Sequence, residues 1–253
     1  MTVTPEADQA RLDREASFHD RRFAADTRAE ADKYYAVASA SFEFYRARTL
    51  DNVQGLDVLE YGCGLGASAF DVAVRGGRAC GIDISPTAIA MAEQGAAERG
   101  VAERTRFVVM NAEALDFPSA SFDRVCGSGI LHHLNLDVAY AEIRRVLRPG
   151  GYAVFLEPLG HNPLINWYRR RTPHLRTEDE HPLMRHDLDA ASACFTRVDA
   201  RFFDLAALAA VPLRRSRLFG AAQKVTAAVD RVLLAPHSPL RHLAWVVVLQ
   251  LGV

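Results

Sequence analysis

The 253-residue chain contains only two lysines, Lys33 and Lys224, so 28 of its 30 basic residues are arginines. Those 30 cations face 31 anions, leaving a formal charge of −1. That balance argues against a dominant nucleic-acid groove or a polybasic membrane patch. No apolar run reaches the roughly 18 residues of a membrane span. The N-terminal stretch MTVTPEADQARLDREASFHDRR is too charged for a secretory signal, so a cytoplasmic location is expected. Cysteine is scarce too: Cys63, Cys80, Cys126 and Cys194 lie far apart, with no CxxC pair. This spacing speaks against a structural zinc or a thioredoxin-like redox pair, and a chain of this length does not need disulfides to hold its core. Internal repeats and long linkers are absent, so one domain is expected. What remains, 49% hydrophobic and 24% charged residues, is the composition of a folded globular protein. The arginine excess suits recognition of carboxylate or phosphate, but a genomic base bias explains it equally well.

The centre of the chain alternates short apolar runs with helical stretches. Asp57–Tyr61 reads as a strand, followed by a glycine-rich turn and a helix over 67–75. Arg78–Ile82 is a second strand. Ser85-Pro86 then opens a helix to Arg99, the serine capping an orphan amide and the proline suiting the first helical position. Strands follow at Phe107–Met110, Phe122–Cys126 and Tyr152–Leu156, with a helix over 135–147 that ends at Arg148-Pro149-Gly150-Gly151. Strands separated by helices of this length predict a parallel sheet covered on both faces. Beyond it lie a polar, aperiodic insertion at 158–186 and a helix over 187–196. A strand at Ala200–Leu205, a helix over 220–234 and a final strand at Ala244–Leu251 complete the chain. The last two strands are expected to extend the sheet as an antiparallel edge. Residues 1–50 read as a helical cap or lid, residues 51–253 as the main domain. The aromatics Tyr34, Tyr35, Phe42, Phe44 and Tyr45 either pack on that domain or close over a ligand.

Glu60-Tyr61-Gly62-Cys63-Gly64-Leu65-Gly66 lies between a strand and a helix. Glycines there allow a tight turn and close approach of a ligand to backbone. Seventeen residues past Gly66, Asp83 ends the second strand, where a carboxylate can accept both hydroxyl protons of a ribose. The constellation points to an adenosine-containing cofactor. On spacing alone, NAD and S-adenosylmethionine (SAM) are both admissible.

The stretch VLEYGCGLG resembles the first motif of the class I SAM-dependent methyltransferases, in particular their UbiE-like small-molecule group. CGIDISPTAI resembles the second motif, NAEALDFPSASFDRVCGSGILHHL the third and fourth, and LRPGGYAVFLEP the fifth; together they span about 55–158 in the family's order. The resemblance implies a Rossmann-like α/β fold with a seven-stranded, mostly parallel sheet, one antiparallel edge strand and helices on both faces. It implies SAM as cofactor and S-adenosylhomocysteine as product. It sets Glu60, Gly62, Cys63, Gly64 and Gly66 near the methionine portion, Asp83 on the ribose and Ile84 against adenine. The usual acidic contact to the adenine amine is here Asn111, followed by Ala112 and Glu113, and Asn111 offers an amide oxygen without negative charge. Ser128 and Gly129 would line the pocket at the end of the fourth strand.

Methyl transfer from a sulfonium is an in-line displacement that depends chiefly on positioning. A general base is needed only for an acceptor that arrives protonated. Six of the nine histidines fall between His132 and His186. His133, Glu157 and His161 are the candidates for proton transfer or acceptor orientation, each with an alternative role in fixing its loop. The arginine-rich run from Arg169 can hold an anionic substrate group or lock itself in internal ion pairs. No compact metal-ligand motif is present, and none is expected. The expected partner is a small-molecule acceptor methylated on oxygen, nitrogen or carbon. The competing readings are cyclisation within SAM, an NAD-dependent oxidoreductase, and a non-catalytic adenosyl-binding partner protein.

Overall fold

Every residue of the strand Val58-Leu59-Glu60-Tyr61 is buried, because helices cover both faces of the sheet to which it belongs. This computed structural model describes residues 5–25 and 37–253. Helices α1 (Pro5–Ala25) and α2 (Ser39–Leu50) precede β1 (Asp57–Tyr61), α3 (Ala67–Val74), β2 (Arg78–Asp83), α4 (Pro86–Glu98) and β3 (Thr105–Val109). Next come β4 (Phe122–Ser128), α5 (Leu136–Val146), β5 (Leu147–Pro158), α6 (Pro163–Arg171) and α7 (Arg185–Cys194). β6 (Arg197–Phe203), α8 (Phe219–Leu233) and β7 (Val246–Gly252) complete the chain. The sheet order is β3-β2-β1-β4-β5-β7-β6. β7 alone is reversed: it pairs antiparallel with both β5 and β6, so β6 forms the outer edge.

The order reverses direction at β1, which is flanked by β2 and β4. Loops leaving the carboxyl ends of these strands therefore diverge and open a crevice, the usual ligand position in such sheets. Local signals agree with this arrangement. Ser85 Oγ accepts from the Ala88 amide at 3.0 Å and Pro86 takes the first turn of α4. Helix α5 buries Leu136, Ala139, Tyr140, Ile143 and Val146, a stripe at helical spacing turned to the sheet. On one face Leu59, Tyr61, Ile82, Ile143 and Phe155 form the core, with Tyr61 and Phe155 edge to face at 6.0 Å. On the other, Val58, Phe70, Val72, Phe107, Cys126 and Val154 do so.

Several boundaries differ from expectation for local reasons. β5 starts at Leu147, because Leu147 already pairs with Phe122 and the Arg148–Gly151 stretch passes through a register shift with Gly150 at φ +81°. The insertion contains α6, whose period was hidden because Ile165 is its only buried residue. Its start is conventional: Asn162 accepts from the Leu164 and Ile165 amides ahead of Pro163. Of the N-terminal aromatics, Tyr45 is buried, Phe44 packs on Phe203 at 5.5 Å and Phe42 is exposed. Tyr34 and Tyr35 lie outside the described residues. All four cysteines are free, and among the described residues no helix is long and apolar enough to cross a membrane.

Phe155 is fully buried on the central strand β5. Phe155→Ala is expected to cost about 3–5 kcal/mol and lower the melting midpoint by roughly 10 °C. Urea and thermal unfolding measure this, and a loss below about 1 kcal/mol would show that the sheet is not packed as described.

Candidate active site

The glycine turn between β1 and α3 uses backbone that side chains resist. Gly62, Gly64 and Gly66 have φ of +69°, +49° and +77°. A Cβ on Gly62 would lie 2.7 Å from Ile130, and one on Gly66 2.8 Å from Phe107, so neither position has room for one. Two carboxylates brace this turn. Glu60 accepts from the amides of Ser68 at 3.0 Å and Ala69 at 2.8 Å, tying the end of β1 to the first turn of α3. Asp83, at the end of β2, accepts from Gly64 N at 2.8 Å and Ser85 N at 2.9 Å. Burial pushes the Glu60 carboxyl up to about 7, against the pull of its amide donors. Cys63 is buried within the turn, and desolvation raises its thiol far above the ordinary range.

The third strand's loop is tightly folded. Asn111 Oδ1 accepts from Glu113 N at 2.9 Å, and the buried Ala112 offers its carbonyl to the Tyr61 hydroxyl. Glu113 is engaged at both oxygens, by Asn135 N at 2.6 Å and by the Arg11 guanidinium at 2.6 Å. Ile84 is half-buried beside Asp83, and Ser128 is exposed at the end of β4.

Glu157, at the end of β5, is fully enclosed. Its Oε1 accepts from Ile130 N and Leu131 N, both at 2.9 Å, and its Oε2 lies 2.7 Å from His132 Nδ1. Burial lowers the His132 pKa. In the neutral form the contact with Glu157 places the ring proton on Nδ1. Glu157 thus holds the short helical turn Leu131–His133 in place, the loop-fixing alternative for this residue. His161 is half-buried and its Nε2 accepts from Arg185 N at 3.1 Å, which joins the insertion to α7. His133 is buried, its ring 4.2 Å from His132 and 5.3 Å from His19.

Helix α1 supplies side chains that the motifs do not reveal. Asp20 accepts from Ser85 Oγ and from Thr87 N at 3.3 Å. Arg11 also donates to His133 O at 3.0 Å, and Arg14 forks onto Asp179 at 2.9 and 3.0 Å. Glu15 approaches His133 at 3.1 Å and His19 at 3.5 Å. Burial raises the Glu15 carboxyl, but these two histidines outweigh it and hold the group well below its usual range. Arg11, Glu15 and His19 recur at intervals of four, one face of a helix; that spacing is the signal a sequence reader could have used. Within the arginine-rich run Arg176 bonds Thr172 O at 2.8 Å and Arg169 O at 3.1 Å and Arg171 stacks on Trp167 at 4.2 Å, while Arg169 reaches out to Leu159 O at 3.3 Å.

Residues 59–155 match the family model described as "Methyltransferase domain". Over nearly its whole length the chain superimposes on geranyl diphosphate C-methyltransferase from Streptomyces coelicolor A3(2). The TM-score is 0.65 at 17% identity, over 99% of this chain and 98% of that one. The core stretch 59–155 thus matches a methyltransferase domain, and the whole chain shares the fold of this methyltransferase. Among curated proteins it is 40% identical over 111 residues to aklanonic acid methyltransferase DauC of Streptomyces sp. strain C5, covering 42% of this chain and 50% of DauC. It is 33% identical over 137 residues to sterol 24-C-methyltransferase ERG6B of Gibberella zeae, covering 53% and 34%. The chain thus spans about a third to a half of these relatives' lengths. A fold match with the [4+2]-cyclase SpnF has a TM-score of 0.54 at 21% identity, over 82% of this chain and 77% of SpnF.

Glu60 resists ionisation when folded and ionises freely when unfolded. Its favourable contribution is therefore whole below about pH 4.5 and lost as pH rises towards about 7. The stability of wild type minus that of Glu60→Gln should fall across this window, by up to about 3 kcal/mol. Denaturant unfolding at several pH values measures it, and a pH-independent difference would refute the raised pKa.

Proposed function

We propose that this chain transfers a methyl group from SAM to an oxygen, nitrogen or carbon of a small molecule, releasing S-adenosylhomocysteine. The observation that carries this reading is the left-handed glycine turn braced by Glu60 and Asp83 at the carboxyl ends of β1 and β2, within the stretch that matches a methyltransferase domain. The residues present suit the cofactor: the left-handed turn carries no side chain at Gly62, Gly64 or Gly66, so none stands between its backbone and a ligand. When bound, SAM supplies a methyl group already made electrophilic by its sulfonium.

The protein's own task is binding and alignment. Each Asp83 oxygen accepts one backbone amide, and a carboxylate has about four lone-pair sites. Capacity for ribose hydroxyls therefore remains. Asn111 keeps its amide NH2 and a second lone pair for the adenine edge, and Ile84 offers an apolar surface. Glu113 is committed to Arg11 and Asn135, so its part is to shape the adenine loop. Helix α1 spans the loops after β2, β3 and β4 and serves as the lid that excludes water. On the acceptor side, Glu157 positions the turn at 131–133, and His133 and His161 are the nearby imidazoles; His161 takes a proton only by giving up the bond from Arg185 N. An acceptor that sheds its proton after transfer needs neither. Two of the named relatives carry C-methyltransferase in their names, which gives carbon equal standing with oxygen and nitrogen as the acceptor atom. The SpnF fold match supports one second reading, a [4+2] cyclisation of a small molecule on the same scaffold, distinct from cyclisation within SAM.

Methyl-labelled SAM with a panel of small-molecule acceptors, read by mass spectrometry, separates these readings. A labelled methyl product with S-adenosylhomocysteine is expected; an acceptor converted to an isomer of unchanged mass with SAM intact, or methylthioadenosine with no methylated product, would overturn methyl transfer. Asp83→Ala should weaken S-adenosylhomocysteine binding by about tenfold or more, as loss of charged hydrogen bonds implies. Unchanged affinity by calorimetry would remove Asp83 from the ribose role. Glu157→Gln and His161→Ala should each lower turnover more than cofactor affinity, and wild-type kcat in both would exclude them from the reaction.

A further inference from the structure

The side chains of Glu15, His19 and His133 converge although 118 positions separate the first from the last. Glu15 is 4% exposed and His133 8%. Neither Glu15 oxygen has a hydrogen-bond partner, and neither does His133 Nδ1. Three buried, unsatisfied polar atoms in one place are costly. The contacts between them do not remove that cost: Glu15 Oε2 lies 3.1 Å from His133 Nδ1 and 3.5 Å from His19 Nε2 without forming hydrogen-bond geometry. All three donor atoms fall within 4.8 Å of one another.

The two separations from Glu15, 3.1 and 3.5 Å, are close to those of ligands sharing a cation. Bonds of about 2.1 Å at octahedral or tetrahedral angles set donor atoms about 3.0–3.4 Å apart. Two imidazoles and one carboxylate form the set that suits zinc or a divalent first-row transition metal; magnesium and calcium prefer oxygen throughout. The surroundings are built for such a site. Glu15 and His19 are one helical turn apart on α1, so they present their donors side by side. Arg11 holds the His133 carbonyl at 3.0 Å. His132 and Glu180 border the site, forming a second group of donor atoms with His133 within 4.8 Å. Glu157 fixes the turn from beneath through His132 Nδ1.

We propose that Glu15, His19 and His133 bind one divalent transition-metal or zinc ion, which staples α1 to the turn after β4. Three protein ligands leave at least one coordination position for an oxygen of water or of an acceptor. The evidence for this site is the donor geometry and does not depend on methyl transfer; an ion on His133 Nδ1 would take the place of any proton-accepting role for that ring.

The test uses tag-free full-length protein stripped with a chelator and titrated with Co2+ as an optical probe, followed by competition with Zn2+. Wild type should bind one Co2+ per chain, show ligand-field absorption that Zn2+ abolishes, and melt at higher temperature with metal than without. Losing even an outer-shell partner costs 10–100-fold in metal affinity, so Glu15→Gln and His19→Ala should each weaken Co2+ binding on the order of 100-fold or more. His19 is only half-buried; His19→Ala therefore carries the test should Glu15→Gln not fold, with circular dichroism as the check. No Co2+ spectrum in wild type, or equal binding by wild type and His19→Ala, would overturn the site and leave a buried ion pair in its place.

Discussion

The cofactor turn depends on Glu60. Three glycines in left-handed backbone give the turn its room, but glycine contributes no side chain to hold it there. The carboxylate at the end of β1 supplies that hold, accepting two amides from the first turn of α3. These amides are among the four that any helix leaves unpaired at its start, and the helix dipole favours a carboxylate there. Burial opposes ionisation strongly enough to bring Glu60 to about 7. The same side chain is therefore both a structural brace and a latent titration.

This device recurs along the sheet. Asp83 ends β2 and takes the amides of Gly64 and Ser85; Glu157 lies near the end of β5 and takes those of Ile130 and Leu131. In each case an acid at the carboxyl end of a strand pairs loop amides that no neighbouring strand reaches. Loops at this edge must turn sharply to leave a crevice, so they cannot satisfy their own backbone. Strand-end carboxylates do it for them. For the proposed methyl transfer the consequence is order: the loops at this edge are held in shape by the protein itself, and alignment is the main requirement of a displacement reaction.

The sheet was legible because its signals are local. Apolar runs, the Ser85-Pro86 helix start and the glycine turn each state their conformation within a few residues. The place of β7 between β5 and β6 was not, since strand neighbours are a matter of long-range pairing. Helix α6 was hidden because a helix that buries only Ile165 has little period to show. In the site, Asp83 and the glycines stood out by spacing, and Glu157 stood out by its position at a strand end. Its full enclosure, with both oxygens engaged, could come only from coordinates. The four side chains of α1 that reach the core were missed for another reason: a polar helix at a chain terminus reads as solvent-exposed surface, and nothing local says what it will meet.

Helix α1 meets the core through polar side chains. Its described partners on the core are the acids Glu113 and Asp179, the histidine His133 and the cap residue Ser85, joined through Arg11, Arg14, Glu15 and Asp20. Ion pairs at the surface, such as that of Arg14, are weak and screened by salt. A helix docked mainly by such pairs separates at far lower cost than one docked by an apolar stripe. Only the Glu15–His133 contact is deeply buried, so the strength of α1's closure concentrates there. A cation at that point would close the helix more firmly than the bare Glu15–His133 pair at 3.1 Å does. The buried contact of α1 and the proposed cation site thus fall in the same place.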